Sequence, residues 1–377
     1  MSALRAVVAF DSLKGSLTAA EACEAAARGI RIAVPDATVA RVPMADGGEG
    51  SLDALLARGG SEMVTDTLDA IGRPVRARWA LDSTHAVIEL AQAAGLPQVG
   101  DVALQPLAAS TVGVGRLVLD ALERGATELT LLLGGSATTD GGAGILTAIG
   151  AVLTDAAGAP IDAGGGGLST IAHLDASGVD ARAMAATWRF VTDVDAPLTG
   201  ERGAAAVFGP QKGASPDDVA LLDAALARLA RVGAEALGMD VGAIAGVPGA
   251  GAAGGVASVL RALTGGEIVA GSVWFAELAG LDAAIAGADL VLSGEGSFDT
   301  QSAHGKVVSA VHDLALRHGV PMIVIAGAVD ARAAQLLGVP AFSLAAGPAA
   351  LSELRRDAAD LLAATAASVA RLAISAR

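Results

Sequence analysis

Two patterns of hydrophobic and polar positions divide the chain. At both ends, short apolar runs alternate with stretches of helical period. Ala6 to Phe10 is an apolar run, Asp11 to Ser16 a turn, and Thr18 caps a helix with Glu21 three residues on. Val39 to Val42 predicts a second strand, followed by the loop MADGGEGS and a helix from about Glu49 to Ala57. The same grammar returns late in the chain: a strand at Ala288 to Leu292, the loop SGEGSFDTQSAHGK and a helix at Val307 to Arg317. A strand at Met322 to Ala326, a short one at Ala341 to Leu344 and one long Ala-rich amphipathic helix from Ser352 to Leu372 complete it. Strands alternating with helices predict a parallel, doubly wound sheet assembled from both ends.

Between the ends the period changes. Glu62 to Leu68, Val75 to Leu81 and Ala86 to Leu90 predict short strands joined by the turns IGRP and DSTH, an antiparallel meander in a different sheet. Helices are expected at Thr111 to Arg124, Gly141 to Gly150 and Asp217 to Leu237, with a buried strand at Glu128 to Leu133. The expected architecture is α/β with two domains: residues 1–60 and 286–377 form one, and residues 61–285 form an inserted α/β domain with a mixed sheet.

Composition narrows the function classes. With 377 residues and 53% hydrophobic content, the chain builds a sizeable core and is no disordered tail. A net charge of -15 argues against a nucleic-acid or anionic-membrane partner and towards a small molecule. The longest uncharged stretch, Val241 to Leu260, is Gly and Ala with one Pro, and reads as a loop plus a buried helix. The lone Cys23 permits no internal disulfide and reads as a buried structural thiol. The first apolar run meets Asp11 too soon for a signal peptide, so a cytoplasmic protein is expected.

Lysine occurs three times against 22 arginines, and Lys14, Lys212 and Lys306 each stand beside a glycine, where a compact charge suits phosphate oxygens. In open α/β sheets ligands bind beyond the carboxyl ends of strands. The polar residues cluster there. The first strand delivers Asp11, Ser12, Lys14 and Ser16; the second Asp46, Gly47, Gly48 and Glu49; the third Glu295, Asp299, Gln301 and Lys306. The inserted domain adds GGSATTDGGAG, with Gly134, Gly135, Ser136, Thr138, Asp140, Gly141 and Gly142, at a strand-to-helix turn. Such glycines let backbone amides approach an anion, and nearby carboxylates hold Mg²⁺ or take a proton. TDVDAPLTG supplies Asp193 and Asp195 after the apolar run Trp188 to Val191; a strand extended through both would set them on one face. Acidic residues that merely cap turns and helices are the bland alternative.

Sharper motifs are missing. No P-loop pattern occurs, because Thr300 stands where the glycine before Gly305 and Lys306 is needed. GAGAAG at 249–254 matches a dinucleotide fingerprint but follows no clear strand, so helix packing explains it better. The five histidines show no zinc spacing.

The segments DSLKGS, ADGGEG, IELAQAAGL, GGSATTDGGAG, TDVDAPLTG, FGPQKGA, GAGAAGG and SGEGSFDTQSAHGK occur in an order that resembles the bacterial glycerate kinase family, of the type that makes 2-phosphoglycerate. The resemblance spans nearly the whole chain. It implies ATP-dependent phosphorylation of D-glycerate and two domains, one flavodoxin-like and one resembling a restriction-endonuclease-like fold. The chain departs from the family where members usually carry Asn, at Thr139, and often carry Asn, at Ala196. On this reading Asp193 takes the proton from the glycerate hydroxyl, and Asp195 orients it or holds metal. Lys14 and Lys306 balance charge, the glycine turn and Ser136 cradle an anion, and Asp46, Glu49, Glu295 and Asp299 compete for Mg²⁺ and hydroxyl contacts. The active cleft is expected between the domains; homo-oligomerisation is left open. Two rival readings stand beside it: an NAD-linked hydroxy-acid oxidoreductase, drawing on GAGAAG, and a non-catalytic sugar-acid sensor.

Overall fold

The computed structural model describes residues 3–45, 52, 56, 59–300, 302, 306–345 and 347–375. They divide into two compact units, residues 1–46 with 270–377, and residues 47–269. The changeovers therefore fall at 46/47 instead of 60/61 and at 269/270 instead of 285/286. The reason at the second is packing: the helices Gly271–Leu278 and Leu281–Ile285 lie against Val307–Arg317 of the first unit.

The first unit holds a five-stranded sheet in the order Ala341–Ser343, Met322–Ala326, Leu290–Gly294, Arg5–Phe10, Thr38–Arg41, and every pairing is parallel. Counted along the unit the order is 2-1-3-4-5. Strand order thus reverses between Arg5–Phe10 and Leu290–Gly294, where a parallel α/β sheet opens a crevice at its carboxyl end. The three central strands are apolar runs because both faces are covered, whereas the edge strands Ala341–Ser343 and Thr38–Arg41 are largely exposed. Phe10, Ile30, Leu292, Ile325, Leu362 and Val369 belong to the resulting core. Ala19–Ala33 begins at the expected cap: Thr18 N–H donates to Glu21 (2.9 Å) and Glu21 N–H donates to Thr18 Oγ1 (3.2 Å). Cys23, on the buried face of this helix, donates its Sγ–H to Val8 O (3.5 Å), and burial pushes its thiol up to about 12. The expected single C-terminal helix is two, Leu351–Arg356 and Ala358–Ser375. The second is long and apolar enough to cross a membrane, yet it packs along Ala19–Ala33.

The second unit holds a six-stranded sheet, ordered Glu267–Val269, Thr187–Val191, Glu128–Leu132, His85–Glu89, Pro74–Asp82, Ser61–Leu68. The last three form the expected antiparallel meander, and the first four run parallel. Trp79, Ile88, Leu129, Trp188 and Phe190 are buried in its core. Residues 241–260 form no single helix; short helices at Gly242–Ala245 and Ala252–Gly255 are separated by turns.

Candidate active site

In the first unit, the switch point is built by backbone register. Phe10 pairs with Gly294, so the chain leaves both strands at one level, and Asp11 N–H donates to Gly294 O (3.0 Å). Gly294 is compulsory, since a Cβ there would lie 1.7 Å from Ile325 O. Beyond Phe10, Ser12 N–H donates to Asp11 Oδ1 (2.6 Å) and Ser16 Oγ–H to Leu13 O (2.8 Å), folding DSLKGS into a tight loop that needs Gly15 at φ +80°. Beyond Gly294, Ser302 N–H donates to Asp299 Oδ1 (3.2 Å), and Lys306 precedes the helix Val307–Arg317. These two loops and the short helix Leu351–Arg356 line a cavity of about 530 Å³. Of the residues picked out in sequence, Asp11, Ser12, Lys14, Ser16, Glu295, Asp299 and Lys306 share it. Sequence reading missed Arg355, which lines the same cavity. It belongs to the stretch expected as one amphipathic helix, which the structure divides at Asp357. Asp46, Gly47, Gly48, Glu49 and Gln301 lie outside the described residues.

In the second unit, GGSATTDGGAG leaves the strand Glu128–Leu132 and is braced from beneath. Lys212 is buried, and its Nζ donates to Ser136 Oγ (2.9 Å) and Thr138 O (2.6 Å). Burial pulls its ammonium down to about 7, against a smaller opposing pull from Asp140. Lys212 was expected to meet an anionic ligand; its ammonium instead holds the turn. Asp140 is likewise walled in. Its carboxylate accepts from Thr111 N–H (2.8 Å), Thr111 Oγ1–H (2.8 Å), Gly142 N–H (3.1 Å) and Gly144 N–H (3.2 Å). Burial raises its pKa, and those hydrogen bonds oppose the rise. Asp140 therefore shapes the turn and presents no oxygen to a ligand. Gly141 and Gly142 are also spent on packing: a Cβ at Gly141 would meet Leu229 Cδ2 at 2.2 Å, and one at Gly142 would meet Val256 O at 3.2 Å. Ser136 and Thr138 are buried, while Gly134 is half-buried and Gly135 exposed, so these two glycines are the turn's open edge.

The neighbouring motifs knit into this turn. Leu96 N–H donates to Gly135 O (2.9 Å) and Ala137 N–H to Ala94 O (2.8 Å), joining IELAQAAGL to it. The strand carrying that motif ends on buried Glu89, which accepts from Gln92 Nε2 (3.1 Å); both escaped sequence reading, although a carboxylate closing an apolar strand was a usable signal. GAGAAG packs beneath as well. Gly141 N–H donates to Gly254 O (2.9 Å), and a Cβ at Gly254 would meet Thr138 O at 2.1 Å. Its glycines let backbones meet, as the absence of a preceding strand suggested, and leave no open dinucleotide loop.

Asp193 and Asp195 are exposed beyond the end of Thr187–Val191. The strand does not extend through them, because Val194 N–H turns back to Thr192 Oγ1 (3.2 Å). Their shared position is thus a loop at the carboxyl edge of the parallel strands instead of one sheet face. Asp195 lies 3.7 Å from Arg202 in a solvent-exposed pair, which contributes little energy and leaves the carboxylate available. Among the described residues, no group of three His, Cys, Asp or Glu side chains converges as a metal cage.

The chain matches the profile of the glycerate kinase family over residues 6–374. It is 41% identical over 363 residues to a glycerate 2-kinase of Escherichia coli, covering 95% of this chain and 94% of that one. A glycerate kinase of Bacillus subtilis is 39% identical over 373 residues, 97% of each chain. A crystal structure assigned to glycerate kinase 2 of Salmonella typhimurium LT2 superposes with a TM-score of 0.87 at 38% identity, covering 100% of this chain and 99% of that one. A match of this length, in sequence and in fold alike, means that the chain belongs to the glycerate kinase family of phosphotransferases.

Proposed function

We propose that the protein transfers the γ-phosphate of ATP to D-glycerate, giving 2-phosphoglycerate. The observation that carries this is the cavity at the switch point of the parallel sheet. It gathers two of the chain's three lysines with Asp11, Glu295 and Asp299, a charge pattern suited to a small hydroxy acid. The name of the E. coli relative, glycerate 2-kinase, supports the regiochemistry. The strand order 2-1-3-4-5 supports a flavodoxin-like assignment for the first unit, and the mixed six-stranded sheet is compatible with a restriction-endonuclease-like second unit.

In the mechanism we infer, Asp193 accepts the proton of the attacking hydroxyl. Lys14 and Lys306 offset the charge of the bound anions. The amides at Gly134 and Gly135, on the more exposed edge of the turn, would donate to the phosphates. Mg²⁺ favours oxygen donors and takes one or two carboxylates alongside phosphate oxygens and water, so a three-residue protein cage is not required. The exposed carboxylate of Asp195 fits such a donor set, and Glu295 and Glu49 are further candidates. When bound, the ion would neutralise charge on the transferring phosphoryl group. The test is mass and NMR analysis of the product after incubation with D-glycerate and Mg-ATP. Phosphate at C2, with no product in EDTA, is the expected result; unchanged D-glycerate and ATP would reject the proposal.

A further inference from the structure

The cavity of the first unit contains a group with no role so far. Arg355 sits on Leu351–Arg356, and its guanidinium lies over Gly15: a Cβ on Gly15 would be 3.5 Å from Arg355 Cζ and 3.6 Å from Nε. The guanidinium is thus in ordinary contact range of a loop whose φ of +80° calls for glycine. The adjacent Arg356 is engaged with Asp357 through two hydrogen bonds, of 2.9 and 2.8 Å. Arg355 makes no hydrogen bond or ion pair with another described residue, and neither do the ammonium groups of Lys14 and Lys306, which line the same cavity. Three cations from three separate chain segments thus border one space at the carboxyl ends of Arg5–Phe10 and Leu290–Gly294.

We propose that Arg355, with Lys14 and Lys306, forms the subsite that binds the carboxylate of the acceptor acid and so sets the enzyme's preference for acids over neutral polyols. This rests on the glycerate kinase reading above. The charges around the cavity favour a short hydroxy acid over a polyphosphate. Asp11, Glu295 and Asp299 also border it, and carboxylates there would repel phosphate oxygens while accepting hydrogen bonds from hydroxyl groups. A planar guanidinium suits a carboxylate by presenting two parallel N–H donors, which a lysine cannot reproduce. Arg355 is thus a specificity-determining residue, distinct from the base.

The test uses the full chain, with Arg355→Ala and Arg355→Lys variants whose circular dichroism and melting temperature match wild type. Calorimetric titration with D-glycerate in the absence of ATP reads the subsite alone. Hydrogen bonds between charged partners make the expected weakening roughly 10- to 100-fold for Arg355→Ala, with Arg355→Lys intermediate. In turnover, KM for D-glycerate rises while KM for ATP stays, and the ratio of rates on D-glycerate and glycerol collapses. Unchanged D-glycerate affinity, or no affinity in wild type, overturns the proposal. A rise confined to KM for ATP, or weakened binding of inorganic phosphate alone, overturns it by moving Arg355 to the nucleotide. If wild type binds D-glycerate but phosphorylates nothing, the kinase reading falls while the calorimetric loss still upholds the subsite.

Discussion

Lys212 keeps its ammonium where water does not reach, and the cost of that burial is written into its proton affinity. In the folded chain it titrates at about 7, against 10.5 for an ordinary lysine. Between those values the unfolded chain holds a proton that the folded chain has released, so stability from this group rises with pH across the window. Lys212→Met removes the titration. It also strands Ser136 Oγ and Thr138 O, a penalty that does not depend on pH. Wild type should therefore gain stability relative to Lys212→Met on going from about pH 7 to about pH 9.5, read by urea unfolding; parallel pH profiles would contradict a buried amine. Asp193 is the opposite case, exposed in the loop beyond Thr187–Val191. Asp193→Asn keeps its shape and loses its basicity, so kcat should fall about 10²- to 10⁴-fold with fold and ATP binding retained. Near wild-type turnover, beside an inactive Asp11 or Asp299 variant, would transfer the role of base to the first unit. The residue types for anion chemistry were legible in the chain because lysine is scarce and glycine turns follow strands. Their exposure was not: Lys212, Asp140 and Lys14 stand in equally polar, glycine-rich contexts, yet only Lys14 is exposed.

Element boundaries followed the apolar period closely wherever burial alone decided them. The helix Val307–Arg317 and the strand Met322–Ala326 lie where the pattern put them. The C-terminal helix is interrupted at Asp357, where the apolar period shows no break. The strand Thr187–Val191 ends where the apolar run does and does not continue through Asp193 and Asp195, as Val194 N–H turns back to Thr192 Oγ1. Close helix packing is a further property of this scale. Gly29 brings Ala19–Ala33 so near Ala358–Ser375 that a Cβ would lie 2.0 Å from Ala363 O. Gly29→Val should destabilise the protein by about 1–3 kcal/mol through overpacking, measured by chemical denaturation. A variant as stable as wild type would show that the helices are free to separate there.

At the scale of the molecule, the chain by itself determined the class of architecture: parallel βα units at both ends, an antiparallel meander between, and a family order of eight motifs. Hydrophobic period determines these because it reports which face of each element is buried. It does not report against what. The pairing of Arg5–Phe10 with Leu290–Gly294 joins residues far apart in the chain, 284 positions in the case of the hydrogen bond from Arg5 N–H to Asp289 (2.7 Å), and only tertiary packing selects that partner. The same holds for the changeover at 269/270, which is set by what the helices Gly271–Leu278 and Leu281–Ile285 pack against. Tertiary structure also sorted the charged groups. It put Lys212 and Asp140 inside as braces and set Arg355, on Leu351–Arg356, beside the loop that begins at Asp11. Burial of a charge depends on every neighbour at once, and neighbours distant in sequence are a product of the fold.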